Sequence, residues 1–396
     1  QFEKIMNLVK NFFFNIRVFD IVFFGFFLRV LSLIFYGAPK FEDTEIYLRI
    51  GNELFNKGLI SSHVHMPGYP VWMYLLNYLT QNQIGYLIGD IIISSITIYI
   101  VYQLAQVIFK DKLISKISAF IFSIYPFSIF YSISGLSETL YVFLILSSLL
   151  LFYKNFFFFG SVIIVLSIYV KGMSDYIAPI LIIIFSFFIY KNSLKTTFKH
   201  IALYFFIYCL ILSPWWIHNW NKYNEFVRTD LAYGYHIYSG NNIMNESGGG
   251  IGGVDVDHSK IFESNQNDFV KSDKVFKQEA YKYILEDPIR FLKQSIRKFY
   301  RFWSFSPYTK EYKGLIYSIV SFISFGFVFL LSIFFLLQNF RNYFYKITPL
   351  LTLLVAITSI YTLTIVSLRY RYPIEPILII FASFTLKKAF VSYKLL

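Results

Sequence analysis

Apolar runs of about 20 residues recur along this chain, and that is the length a helix needs to cross the hydrocarbon core of a bilayer. Such runs predict helices near 18–37, 84–109, 113–131, 137–153, 155–170, 176–190, 200–218, 314–337, 347–366 and 373–391. Hydrophobic residues make up 56% of the sequence and charged residues 15%, a balance foreign to soluble domains of this length. The expected fold class is therefore an all-α polytopic membrane protein with about ten transmembrane helices. The first apolar run is too long for a cleavable signal and reads as a retained helix. The chain opens on Gln1 without a Met, so a start upstream is expected.

The net charge of +13 is carried mostly by short loops between apolar runs, the pattern that writes topology and not one that binds nucleic acid. Every second loop is basic: Lys4, Lys10 and Arg17; Lys110, Lys112 and Lys116; Lys154; Lys191, Lys195 and Lys199; Arg341 and Lys346; Lys387, Lys388 and Lys394. The positive-inside rule puts these loops and both termini in the cytoplasm. The other face receives 38–83, the turns at 134–138 and 171–175, the segment 219–313 and the turn 367–376. Three regions follow: 1–218, a transmembrane module with a catalytic first external loop; 219–313, an external region of mixed or irregular structure; and 314–396, the C-terminal helices. The lone Cys209 sits in an apolar run and offers neither a disulfide nor a thiolate metal site.

The first external loop holds the best candidate for a reacting group. In the acidic stretch Phe41-Glu42-Asp43-Thr44-Glu45, Asp43 precedes Tyr47 and Gly51 at intervals of four, which on a helix is one face with Asp43 in the first turn. The helix dipole favours a carboxylate there. Beyond His63, His65 and Pro67, the piece Gly68–Leu79 is too short to span and rich in aromatics, which predicts a helix on the outer surface. His63 and His65 would share a face only on a strand, and no third metal ligand follows at a telling spacing.

In 219–313 the glycines from Gly248 to Gly253 precede no Lys-Ser or Lys-Thr and read as a flexible loop, not a phosphate cradle. The stretch 283–303 interleaves Arg290, Lys293, Arg297, Lys298 and Arg301 with apolar residues at helical spacing, which suits an interfacial helix facing anionic headgroups.

Charges within spanning segments are costly and ask for a reason. Arg29 lies well inside the first helix, whereas Asp90, Glu138 and Lys171 stand near outer boundaries, where snorkelling is an equal explanation for Asp90 and Lys171. The turn Arg369-Tyr370-Arg371-Tyr372-Pro373 adds two guanidinium groups on the outer face, against the positive-inside bias and suited to forked contacts with phosphate.

Taken in order, these residues resemble the GT-C integral-membrane glycosyltransferases, in the branch holding bacterial relatives of the protein O-mannosyltransferases and the lipid A aminoarabinose transferases. The matching series is Asp43, Tyr47, Gly51, Gly58 and Pro67-Gly68-Tyr69-Pro70; Ser137-Glu138; Lys171-Gly172; Pro214-Trp215 with Asn219; Gly240-Asn241-Asn242; and Arg369, Arg371 and Pro373. Two departures stand out: His218 where many relatives have Arg, and Glu42-Asp43-Thr44-Glu45 where many have Asp-Glu.

The resemblance implies transfer of a sugar from a polyprenyl-phosphate carrier to a hydroxyl of a protein, lipid or glycan, on the external face of a bacterial plasma membrane. Asp43 is then the general base or the carboxylate that orients the acceptor, and Glu138 a second acid near it. Arg369, Arg371 and Lys171 would bind the donor phosphate. Tyr47, His65, Tyr69, Asn241 and Asn242 would line the substrate site, and a divalent cation has room to share the work. A transporter or flippase for a lipid-linked glycan, or a glycan polymerase or ligase, is the competing expectation.

Overall fold

The computed structural model describes residues 12–191, 193–249, 255–266, 268–306 and 314–392. The termini, with Lys4, Lys10 and Lys394, and the glycines at 250, 252 and 253 lie outside the described residues. The chain opens with α1 (Val18–Tyr36), then α2 (Glu42–Lys57) and α3 (Gly68–Thr80). Next come α4 (Gly85–Phe109), α5 (Lys112–Ile124), α6 (Pro126–Ser132), α7 (Glu138–Tyr153), α8 (Phe157–Val170) and α9 (Ser174–Ile184). They are followed by α10 (Leu194–Tyr223), α11 (Ala232–Gly240), α12 (Ser259–Ser264), α13 (Phe269–Glu286) and α14 (Pro288–Phe302). The helical run α15 (Leu315–Leu363), a 3-10 turn (Leu368–Ile374) and α16 (Glu375–Ser392) complete it.

By length and composition, α1, α4, α10 and α15 qualify as membrane spans, and α5 with α6 would make a fifth across a 55° bend. The ten separate spans of the sequence reading are not all realised as such among the described residues. The predicted 113–131 helix breaks at Pro126, whose missing N–H and fixed φ suit the first turn of a new helix. The predicted helices 314–337 and 347–366 are joined, because no Gly or Pro interrupts 338–348.

The joined run nevertheless doubles back. Phe302 meets Tyr361 with ring centroids 6.3 Å apart, and its neighbour Trp303 meets Phe325 at 6.4 Å. A straight helix would separate Phe325 and Tyr361 by roughly 54 Å. The reversal falls near 339–346, since Phe109 touches both Phe335 and Tyr343. Tyr153 Oη also donates to the Lys346 carbonyl there.

Two poles result. Lys154 bonds Gln103, Lys387 pairs with Asp111 and Lys388 bonds Gln338 at one pole. The start of α7, the end of α8 and the 3-10 turn meet at the other. Buried polar residues fix the helices between them. The fully buried Arg29 donates to Ser94, Ser128 and the Gly25 and Ser123 carbonyls, which ties α1 to α4 and to the bent α5–α6 pair. Asp90, also fully buried, accepts from Tyr69 Oη at 2.7 Å and Trp72 Nε1 at 2.9 Å, so the short surface helix α3 is bolted to α4. Neither residue snorkels. Gly51 lets α2 and α3 touch, since a Cβ there would stand 2.7 Å from the Pro70 carbonyl.

Helix α14 begins later than the predicted 283–303. Asp287 caps it by accepting from the Arg290 N–H, with Pro288 at the first position, so residues 283–286 end α13 instead.

Candidate active site

Three helix ends and one turn converge at the acidic pole. Asp43 stands in the first turn of α2, Glu138 opens α7, and Lys171 follows the last residue of α8. Each charge sits where the helix dipole favours its sign. Arg369, from the turn before α16, joins them: its guanidinium lies 2.6 Å from Asp43 Oδ2 and 3.4 Å from Glu138 Oε1. Lys171 Nζ donates to the same Glu138 oxygen at 2.9 Å. Two acids and two cations therefore alternate along one line. Asp43 and Arg369 keep 28% and 27% of their side-chain surface open, whereas Glu138 keeps 1%. The Asp43–Arg369 pair is therefore the open part of the cluster, and Glu138 anchors both cations from beneath.

Burial works against the Asp43 carboxylate, but the Arg369 guanidinium outweighs it and holds the pKa below the ordinary value. An acid so held is a weak base while Arg369 stays with it. His65 lies beside the pair, its Nδ1 2.8 Å from Ser62 Oγ and its ring edge-on to Tyr47 at 5.5 Å. Desolvation lowers its pKa from the ordinary value, despite the help of Asp43. Tyr47 packs on Tyr69 at 5.2 Å and approaches Ser137 Oγ at 3.4 Å.

Several expected site residues are placed elsewhere. Arg371 is fully buried, pairs with Glu375 at 2.6 Å, donates to the Phe302 and Ser304 carbonyls and covers the face of Phe325. The 3-10 turn has three residues per turn, so positions two apart face different sides, and only Arg369 reaches the cluster. Tyr69 is fully buried and spends its hydroxyl on Asp90. Asn241 bonds the Ile237 and Leu363 carbonyls, and Asn242 bonds those of Tyr238, Ser239 and Asp255. Both Asn side chains brace backbone carbonyls of the 219–313 segment and of the end of α15. Gly240 permits this close seating, since a Cβ there would fall 1.8 Å from the Thr364 carbonyl. The two histidines diverge: His63 stacks on Phe269 at 4.0 Å, away from His65.

Sequence reasoning missed other neighbours. Tyr370 stacks on Tyr361 at 4.2 Å, with the Arg369 guanidinium 5.3 Å from its ring, and so steadies that arginine. His236 feels His65, Lys171 and Arg369; desolvation first, then those groups in that order, push its pKa down to about 4. Lys298, read as headgroup-facing, is fully buried and donates to Gly240 O, Asn241 Oδ1 and Thr364 O. A Lys in an amphipathic stretch gives no signal of which face tertiary packing will cover.

No protein-family model matches the sequence, and no curated protein matches it. Solved structures of the Archaeoglobus fulgidus oligosaccharyltransferase do share the fold. The apo form superposes with a TM-score of 0.60 at 14% identity, over 96% of this chain and 51% of that one. The form named AglB, in complex with an inhibitory peptide and a dolichol-phosphate, gives 0.55 at 13%, over 96% and 51%. A complex with Zn and sulfate gives 0.58 at 15%, over 96% and 50%. The chain therefore spans about half the length of these structures and shares the fold of that part of them.

A divalent ion finds few ligands from this chain. Among the described residues no three His, Cys, Asp or Glu side chains converge, and the two carboxylates already share one guanidinium. Glu138 Oε2, buried and without a hydrogen-bond partner, is a carboxylate oxygen still open to a cation, and a divalent ion held there would draw its other ligands from a bound phosphate or water.

Proposed function

We propose that this chain transfers a sugar from a polyprenyl-phosphate carrier to an acceptor hydroxyl at the external face of a membrane. The observation that carries the reading is the half-open Asp43–Arg369 pair at the pole opposite the basic loops, backed by Glu138 and Lys171. The fold shared with an oligosaccharyltransferase supports it, as does the dolichol-phosphate held by one of those structures. The finer kinship with the O-mannosyltransferase and aminoarabinose transferase branch rests on the sequence motifs.

In the reaction, the acceptor oxygen forms a bond to the anomeric carbon and the bond from that carbon to the phosphate oxygen breaks. The leaving polyprenyl phosphate gains a negative charge, and Arg369 and Lys171 are the groups suited to hold it. Such electrostatic stabilisation is usually the largest catalytic term. A phosphate arriving at Arg369 competes with Asp43 for the guanidinium. Released from its partner in a partly desolvated site, Asp43 regains basicity and can take the acceptor proton. The ion pair thus keeps the base idle until the donor is seated.

The test uses purified protein in lipid with extracted polyprenyl-phosphate sugars and the cell's own membranes as acceptor, following the loaded carrier by mass spectrometry. The native protein should discharge the carrier and Asp43→Asn should slow discharge by about 10²–10⁴-fold. Arg369→Gln should be as impaired, with weaker retention of the carrier. If neither native nor variant protein discharges the carrier while both move it across the bilayer, the chain is a transporter and the proposal fails.

A further inference from the structure

Helix α14 carries a surface that the transfer reaction does not use. Leu292, Ile296, Phe299 and Tyr300 are 60%, 49%, 46% and 70% exposed, and Ile289 is 66% exposed on the same face. At about 100° per residue these five side chains fall within an arc of roughly 100°. Lys293, Arg297 and Arg290 follow, about 40°, 80° and 100° round from Ile289, as a row along one edge of that stripe. The opposite face, with Gln294, Ser295, Lys298 and Phe302, is buried against the protein.

The basic row borders an open groove of about 440 Å³ lined by Ile243, Glu246, Arg290, Lys293, Gln294 and Arg297, none of which belongs to the Asp43–Arg369 cluster. Backbone contacts pre-set two of its cations: Arg290 donates to the Ile243 carbonyl and Arg297 to that of Glu246. Neither contact neutralises the guanidinium. Lys293 is exposed and makes no ion pair among the described residues, so three cations face one carboxylate, that of Glu246. Ile243 and Met244, 71% and 47% exposed, carry the apolar surface past the groove. Leu315, Ile316 and Ile319 at the start of α15 are also exposed.

We propose that α14 lies on the bilayer at the same pole as Arg369, its apolar stripe in the acyl boundary, and that the Arg290–Lys293–Arg297 groove binds the headgroup phosphate of an anionic phospholipid. The occupant is chosen by charge complementarity and by the position of the cations at the stripe's edge, where headgroups sit when the stripe is immersed. This site is distinct from the donor phosphate site and does not depend on the transferase reading.

The full chain, reconstituted in nanodiscs of mixed phosphatidylglycerol and phosphatidylcholine, is examined by native mass spectrometry for lipid retained on ejection. The wild type should retain phosphatidylglycerol preferentially. Lys293→Glu with Arg297→Glu should lower its apparent affinity about tenfold or more, since each basic residue near an anionic surface contributes substantially. The exposed single substitution Lys293→Gln, which disturbs no contact, should give a smaller loss in the same direction with unchanged thermal unfolding. A nitroxide at Leu292→Cys, in a Cys209→Ser background, should be more accessible to oxygen than to a water-soluble nickel reagent. Equal retention in wild type and both variants, displacement of the lipid by millimolar inorganic phosphate, or a nitroxide open to the aqueous reagent would each overturn the proposal.

Discussion

At the residue scale, the decisive pairing is between a carboxylate and a guanidinium that lie 326 positions apart in sequence. Asp43 stood out before any fold was known, because it opens a polar helix between two apolar runs. Its partner was legible only as one of two arginines, and the 3-10 turn selected Arg369. The pH behaviour follows from the pairing. The folded pKa of Asp43 is depressed, so the stability it contributes is present above its unfolded value of about 3.9 and is lost as pH falls through the folded one. On the proposed transfer, the protein without donor should thus show no acid limb from Asp43 near neutrality. Once donor phosphate occupies Arg369 that restraint is relaxed, so the acid limb of kcat should lie at higher pH than that of kcat/KM. Paired pH profiles measure this directly, and coincident limbs would count against release of Asp43 by the donor.

Histidines give a second residue-scale prediction, with the opposite dependence on neighbours. Burial, then Lys222, pushes His63 down to about 4, and burial pushes His258 to about the same value. The unfolded chain therefore takes up protons first as pH falls below about 6.5, and stability declines between there and pH 4. Thermal unfolding in detergent should drop by several degrees from pH 7.5 to pH 5. His63→Phe keeps the stacking on Phe269 and should flatten part of that slope.

At the element scale, the surface helix α3 is held by one buried acid. Asp90→Ala would strand the Tyr69 hydroxyl and the Trp72 indole N–H, each costing about 1–3 kcal/mol when buried without a partner. Unfolding measurements should show a loss of about 2–4 kcal/mol, with Asp90→Asn costing less because its carbonyl still accepts one bond. Trp72 fluorescence should shift to the red in the alanine variant as α3 loosens. The sequence flagged Asp90 as anomalous but could not separate a snorkelling boundary residue from an internal bolt; its two donors come from 18 and 21 residues upstream, across a turn. Helix α14 shows the converse. Its amphipathic period was plain, yet Lys298 fell on the buried side, because the apolar stripe faces outward and the protein covers the face that carries Lys298, Gln294 and Phe302.

At the scale of the whole molecule, the sidedness of the loops can be checked by labelling. In a Cys209→Ser background, an impermeant maleimide added to intact cells should modify Lys260→Cys in the external region and spare Asn155→Cys at the basic pole until the membrane is opened. Labelling of Asn155→Cys from outside with Lys260→Cys spared would invert the topology. Apolar runs, their basic loops and the polar island at 41–51 were determined by sequence, because each is a local property: hydrophobic length, charge bias and helical period need no partner. What only the tertiary structure decided is which charges meet. The doubling back of α15 returns the chain to the pole where α2 begins, so that Arg369 lands on Asp43 and Glu138 while Arg371, two residues on, is locked to Glu375. Such pairings join chain segments hundreds of residues apart, and no local pattern specifies them; packing of the intervening helices does.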